Sequence, residues 1–335
     1  MTVDFFKNII NSGSQELKYK QIIEAVTQAV QDGSLAQGEI LPSVNEMSKG
    51  CVLSRDTVYK AYSYLKKHGL IESVPNRGYF VSKPECKVFM LLDTFKAYKE
   101  VLYHSFRKSL SSDIPIDIRF HHYNVNVFEN SVKESLGHYS KYVIMNFDNP
   151  KIEKIISRIP KEKLLLIDWN IHSRAGVSRI WQDFGQGVYD ALAENISRVK
   201  KYNKFVLLYP EFTDHPKETI EYFRKFCADY EINSQILFSL QQFDIKAGEL
   251  YLLVSDRTLA FFLEQCQEKG LTPGKNVGVI SYNETPMKKY VSGGITVLST
   301  DFQMMGQRAA EFVLGHNTEI TDIKIPTKIL LRNSL

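Results

Sequence analysis

The sequence predicts an α+β winged helix-turn-helix domain followed by an α/β region of two doubly wound parallel-sheet lobes. Three observations carry this. The first 85 residues are helical in pattern and dense in polar side chains. From Lys87 onward, short apolar runs alternate with amphipathic stretches, among them Lys87–Leu92, Tyr142–Met145, Leu164–Ile167, Phe205–Tyr209, Leu250–Val254 and Val277–Ser281. Fully apolar strands followed by helices imply parallel sheets covered on both faces. About ten such runs in the last 250 residues are more than one sheet takes comfortably, so two lobes are expected. The division predicted is residues 1–83, a linker at 84–86 where Pro84 ends the preceding strand, and residues 87–335.

Taken in order, residues 15–31 place Ile22, Ile23, Val26, Ala29 and Val30 on one helical stripe, with Gly33 as the stop. Leu41-Pro42-Ser43 begins a short helix that Ser43 caps, with Glu46 in the capping-box position. After a turn near Gly50, Ser54 caps a second helix. Its buried stripe is Val58, Ala61, Tyr62 and Leu65, and its open face carries Arg55, Asp56, Thr57, Tyr59, Lys60 and Ser63. Core packing is the expectation for both Tyr59 and Tyr62. Gly69 ends the helix, and strands Leu70–Val74 and Tyr79–Val81 form a wing around Pro75-Asn76-Arg77-Gly78. Across this segment seven basic side chains (Lys49, Arg55, Lys60, Lys66, Lys67, Arg77, Lys83) stand against three acidic ones (Glu46, Asp56, Glu72). That is a local basic face on a chain whose net charge is only +4.

Residues 41–81 resemble the GntR-type regulators. Leu-Pro-Ser at 41–43, Ser-Arg-Asp-Thr-Val at 54–58, Ala-Tyr at 61–62, Leu65, Gly-Leu-Ile at 69–71 and Gly-Tyr-Phe-Val at 78–81 fall in register. The resemblance implies DNA binding, with the helix from Ser54 leading into the major groove. The residues it selects are Ser43, Ser54, Arg55, Thr57, Lys60, Asn76, Arg77 and Gly78. Arg55 suits a guanine edge or phosphate, Thr57 and Lys60 phosphates, and Asn76 and Arg77 the minor groove or backbone. Family members often carry a basic residue where this chain has Asn45.

The carboxy-terminal region resembles the effector domain of LacI-type repressors, which is similar to type I periplasmic sugar-binding proteins. The resemblance rests on Leu253–Ala260, on Gly270-Leu271-Thr272-Pro273, on Val279–Glu284, and on Thr296, Asp301-Phe302, Gly306 and Ala309-Ala310. Asp183-Phe184-Gly185 with Gly187 looks like a crossover between lobes. In doubly wound lobes the carboxyl ends of the strands line the cleft. The effector-binding candidates are therefore Asp93, Phe95, His121, Trp169, Asp183, Thr219, Asp256 and Asn283. Tyr98, His122, Tyr123, Asp168, Asn170 and Tyr209–Thr213 also lie at strand ends or near them. Trp169 and Phe95 or Tyr98 can plate the C–H face of a sugar, and Asp256, Asn283 and His121 can bind its hydroxyls. Asn283 stands where the family has a sugar-gripping aspartate. Thr219 lies near the place of a family arginine, with His215 and Lys217 close by.

The expected function is therefore a sugar-responsive DNA-binding regulator. It would be a homodimeric repressor on a near-palindromic operator, released by a neutral monosaccharide such as L-fucose or L-arabinose. No enzyme is expected: His-Glu-x-x-His, Gly-x-Ser-x-Gly and P-loop patterns do not occur, nor does a recognisable Schiff-base lysine for pyridoxal phosphate. No cofactor or metal is expected, since the four cysteines form no C-x-x-C pair. With no apolar run of eighteen residues and no signal-peptide core among the first twenty, the chain reads as cytoplasmic, without a membrane partner.

Overall fold

The computed structural model describes residues 3–10, 16–31, 34–36, 38–75, 77–82, 86–170, 175–315 and 320–335. The chain divides into two compact units, Met1–Lys87 and Val88–Leu335. Gly33, Asn76, Lys83, Pro84 and Glu85, to which the sequence assigned roles, lie outside the described residues.

The first unit runs α1 (Val3–Ile10), α2 (Lys18–Gln31), β1 (Ile40–Leu41), α3 (Val44–Gly50), α4 (Arg55–Lys67), β2 (Ile71–Val74) and β3 (Gly78–Val81). Both expected caps form. Ser43 Oγ accepts from Glu46 N at 3.2 Å while Glu46 Oε2 accepts from Ser43 N at 2.7 Å. Ser54 Oγ accepts from Thr57 N at 3.1 Å. Val58, Ala61, Tyr62 and Leu65 are buried against Ile22, Val26, Met47 and Phe6. Two elements go beyond the expectation. Helix α1 contributes Phe6 and Ile10 to this core, and β1 pairs antiparallel with β3 to make the wing a three-stranded sheet of order β1-β3-β2.

The second unit begins with a lobe of β4 (Val88–Leu92), α5 (Ala97–Lys108), β5 (Ile116–Phe120), α6 (Val125–Ser135), β6 (Lys141–Met145), α7 (Ile152–Ile156), β7 (Leu164–Asp168) and β8 (Ser178–Gln182). The second lobe contains α8 (Gln186–Ala193), α9 (Ile196–Val199), β9 (Lys204–Leu208), α10 (Glu218–Asp229), β10 (Ser234–Leu237), β11 (Glu249–Leu253), α11 (Asp256–Lys269), β12 (Gly278–Tyr282) and β13 (Thr296–Thr300). The chain then returns through α12 (Phe302–Leu314) to β14 (Asp322–Ile325) and ends on β15 (Thr327–Leu330).

The sheet orders are β14-β8-β7-β6-β4-β5 and β10-β9-β11-β12-β13-β15. All pairs in both are parallel except β13 with β15. Strands β4, β7, β12 and β13 are buried at every position, as a sheet covered on both faces requires. Helix α12 packs on α5, where Gly306 admits the Leu102 carbonyl and Tyr98 lies against Phe302 with centroids 4.5 Å apart. The chain therefore passes between lobes three times: at Gln182–Gln186, at Thr300–Phe302 and at Pro326. The first passage is the Asp183-Phe184-Gly185 segment. No helix among the described residues is long and apolar enough to cross a membrane.

Candidate effector cleft and nucleic-acid interface

On the first unit, the capped start of α4 presents a polar face. Arg55, Asp56, Tyr59, Lys60, Ser63, Lys66 and Lys67 are exposed. Arg55 is exposed and makes no ion pair among the described residues. Tyr59 does not pack in the core as expected: it is 61% exposed, whereas Tyr62 is fully buried and donates to the Pro42 carbonyl at 2.8 Å. The Thr57 hydroxyl shares a hydrogen bond with Ser54 Oγ at 2.8 Å, and Lys60 Nζ lies 4.3 Å from the centre of the Tyr19 ring. Lys66 donates to Ser73 Oγ at 2.7 Å, tying α4 to the wing. At the wing tip Arg77 and Gly78 are exposed, and Gly78 takes a φ of 102° that a side chain would resist.

In the second unit, strand ends from both lobes enclose a cavity of about 770 Å³. Tyr123 and Phe147 form one aromatic wall from the first lobe, edge to face with centroids 5.8 Å apart. Tyr209 and Phe238 form the wall opposite, 6.5 Å apart. Between them stand Asp148, Asn149, Glu211, Thr213, Asp214, His215, Lys217, Glu218 and Glu221. Trp169 continues from this cavity into a narrow floor shared with Lys96, Asp168, Gln182, Phe184 and Asn283. Four non-glycine residues at these strand ends hold left-handed backbone: His122 and Tyr123 after β5, Asp168 closing β7, and Asn283 after β12. Such conformations persist where surrounding structure enforces them, and they gather at ligand sites.

The electrostatics follow from burial. Desolvation pulls the His215 imidazole down to about 3, helped by Lys96, so it is neutral near pH 7. Its Nε2 lies 2.9 Å from Thr219 Oγ1, which itself donates to the Phe184 carbonyl, so Nε2 carries the proton. Burial raises the carboxyls of Asp168 and Asp214, with Lys99 and Lys96 respectively the first opposing charges. Cavity and floor together carry six carboxylates (Asp148, Asp168, Glu211, Asp214, Glu218, Glu221) against two lysines (Lys96, Lys217).

The structure brings together only part of the expected set. Trp169 and Asn283 share the floor. Asp183 sits beside it in a small pocket of about 170 Å³, where it accepts from Gly185 N at 3.0 Å and pairs with Lys324 at 3.4 Å. The other five are placed elsewhere. Asp93 is spent inside its lobe on Lys99 and the Tyr123 hydroxyl. Phe95 is 73% exposed and packs on Phe120, so of the pair Phe95 and Tyr98 it is Tyr98 that joins Trp169 and Phe184 on the floor. His121 is fully buried, donating to the Met145 carbonyl (3.1 Å) and accepting from Tyr123 N (3.1 Å), so it supports the wall from behind. Thr219 is buried in the contacts just described. Asp256 is neither helix cap nor floor residue: Ser255 caps α11, and Asp256 pairs with Lys288 at 2.7 Å.

Sequence reasoning missed Phe147-Asp148-Asn149, Asp214, Glu218, Glu221, Phe238, Lys96 and Gln182. The first three begin two residues after the recognised run Tyr142–Met145, so the strand-end rule could have found them. Among the described residues no group of His, Cys, Asp and Glu is placed to hold a metal ion.

A winged helix-turn-helix joined to a two-lobed unit with a polar, aromatic cleft is the architecture of effector-controlled DNA-binding proteins. The comparisons agree with each half separately. Residues 18–81 match the family model "Bacterial regulatory proteins, gntR family", so the first unit contains a GntR-type helix-turn-helix domain. This segment is similar to the HTH-type transcriptional repressor YtrA of Bacillus subtilis, 35% identical over 65 residues, which is 19% of this chain and 50% of that protein. It is also similar to the repressor NagR of the same organism, 38% identical over 76 residues, 23% of this chain and 31% of that one. The chain thus spans half or less of the length of these curated relatives. Among solved structures, the Escherichia coli trehalose repressor superposes with a TM-score of 0.62 at 14% identity, over 73% of this chain and 100% of that one. The lac repressor dimer bound to operator gives 0.60 at 13% identity, over 75% and 94%. The second unit accordingly has the LacI-type, periplasmic-binding-protein-like fold.

Proposed function

We propose that this protein is a transcription regulator, a repressor that leaves a near-palindromic operator when a neutral monosaccharide of the L-fucose or L-arabinose type occupies the cleft. The observation that carries the reading is the cleft's chemistry. Opposed aromatic walls suit the C–H faces of a sugar ring, and carboxylates, Asn149, Thr213 and Asn283 suit its hydroxyls. Six carboxylates against two lysines repel a phosphate ester and so favour an uncharged sugar. The relatives' names support the sign: YtrA and NagR are repressors. A solved LacI-family regulator from Arthrobacter sp. FB24, similar in fold with a TM-score of 0.60 at 12% identity over 75% of this chain and 99% of that one, is in complex with lactose.

A homodimer completes the reading. Two reading helices about 34–36 Å apart would match half-sites one DNA turn apart. Exposed Phe261, Met287 and Tyr290 on the second lobe offer apolar surface for such a contact.

The test is a thermal-shift screen of the full chain against L-fucose, L-arabinose, D-ribose and D-galactose beside sugar phosphates. A ligand at 100 times its Kd adds about 2.7 kcal/mol of stability. A shift with a neutral sugar and none with phosphates supports the reading. A shift with phosphates alone overturns the charge argument, and no shift at all overturns the sugar site.

A further inference from the structure

We propose that Lys288 is a positioning residue that holds Asn283 in its ligand-facing conformation and so sets the cleft's affinity for sugar. The inference rests on the reading of the cleft as a sugar site and adds a residue outside its lining. Lys288 sits in the short turn Pro286–Lys289 after β12 and is 2% exposed. Its Nζ donates to the Tyr282 carbonyl at 2.8 Å and to the Asn283 carbonyl at 2.7 Å, and pairs with Asp256 Oδ1 at 2.7 Å. An ammonium has three N–H donors and no acceptor, so these three partners satisfy it completely. A guanidinium, planar and forked, does not match three acceptors gathered around one point.

The consequence falls on Asn283. Its N–H donates to the Leu298 carbonyl at 2.9 Å and its carbonyl accepts from Lys288, so its backbone is held on both sides. The residue is fixed at a φ of 62°, in the left-handed region that asparagine tolerates better than most residues. Its side chain reaches the floor beside Trp169 and Asp168, and its Oδ1 is buried with no hydrogen-bond partner among the described residues. A buried amide oxygen left without a partner is costly, and a sugar hydroxyl would satisfy it. Asp256, at the first turn of α11, anchors the ammonium from the other side, so the strand end, the helix start and Asn283 form one assembly.

The experiment uses the full chain and whichever of L-fucose, L-arabinose, D-ribose and D-galactose stabilises the wild type most. Sugar affinity is measured by calorimetry for Lys288→Met, Asn283→Ala and the double variant, with DNA affinity in the absence of sugar measured alongside. Each single variant is expected to lose tenfold or more in sugar affinity, the double variant no more than the weaker single, and DNA affinity to stay within about twofold. That non-additivity marks two residues acting as one. Wild-type sugar affinity in Lys288→Met, or losses that multiply in the double variant, overturn the proposal. Should Lys288→Met not fold, Asp256→Ala at its half-exposed site carries the test. A severalfold loss that vanishes in the Asn283→Ala background supports positioning, and an unchanged affinity overturns it. A wild type that responds to none of the four sugars removes the sugar site itself, and the role of Lys288 with it.

Discussion

Thr300 donates its hydroxyl to Gln182 Oε1 at 3.0 Å, joining the second passage of the chain between lobes to the first. The same hydroxyl lies 3.2 Å from Thr327 Oγ1, beside the third passage, and Thr327 donates to the Asp183 carbonyl at 3.3 Å. The amide of Gln182 in turn donates to Asp168 on the cleft floor. Hydrogen bonds thus run from the floor through Gln182 to the second passage, while a separate one from Thr327 ties the third passage to the first. Under the proposed function, a sugar that moved Asp168 would bear on the segments that join the lobes.

Thr300→Val keeps the side chain's shape and removes its hydroxyl, leaving Gln182 Oε1 without that donor. Sugar affinity is expected to change by less than about threefold. The weakening of DNA binding by sugar, expected at about 5–150-fold for a coupling of 1–3 kcal/mol, is expected to shrink several-fold. Calorimetry and DNA binding on the same samples check this. Full coupling in the variant would show that the chain through Gln182 transmits nothing.

Arg55→Ala on α4 is expected to lower operator affinity by about 1–3 kcal/mol, roughly 5- to 150-fold, with no change in melting temperature, because the side chain is exposed and makes no ion pair among the described residues. Wild-type affinity itself is expected to fall about 10³–10⁵-fold between 50 and 200 mM salt if six to ten phosphates are contacted. Fluorescence anisotropy on a selected operator measures both. An unchanged affinity in Arg55→Ala would remove α4's first turn from the interface.

His121 makes stability depend on pH. Burial pulls its imidazole down to about 4, against about 6.5 in an unfolded chain. Between those values the unfolded chain takes up a proton that the folded one refuses, so stability falls as pH falls from 6.5 toward 4. The depression corresponds to about 3 kcal/mol at its full extent. His121→Gln, which retains a donor and an acceptor, is expected to make that part of the profile shallower in urea titrations from pH 4 to 7, with buried His215 supplying slope that remains. An equal slope in both proteins would assign the acid sensitivity elsewhere.

Gly306 lets α12 lie on α5. A Cβ there would stand 2.4 Å from the Leu102 carbonyl oxygen and 2.9 Å from Phe106 N, both backbone atoms that cannot step aside. Gly306→Ala is expected to cost about 1–3 kcal/mol, lowering the melting temperature by about 2–4 °C for each kcal/mol. A variant that melts with the wild type would mean the two helices separate freely at that point.

Local signals in the sequence were readable where their physics is local. Ser43 with Glu46, and Ser54 with Thr57, are caps that close within four residues, and both form as their spacing requires. The apolar runs and their helices mark two sheets, parallel but for the β13–β15 pair, for the same reason. Helix α1 went unread although Val3, Phe6 and Ile10 already stand at helical spacing. Strand-end residues were locatable in order, but their partners were not. Whether Asp93 faces a ligand or Lys99, and whether Thr219 faces the cleft or the Phe184 carbonyl, depends on contacts between elements that spacing along the chain does not encode. Phe238 was missed because β10, the short edge strand before it, carries exposed Ser234 and Gln235 rather than an apolar run.

Operator affinity of the full chain, measured with and without a saturating neutral sugar taken from the thermal-shift screen, tests the central claim most directly. Weakening by about 5–150-fold on sugar binding is the expected result. An affinity that stays the same while the cleft is demonstrably filled would contradict the account, leaving a DNA-binding domain and a sugar-binding domain on one chain with no switch between them.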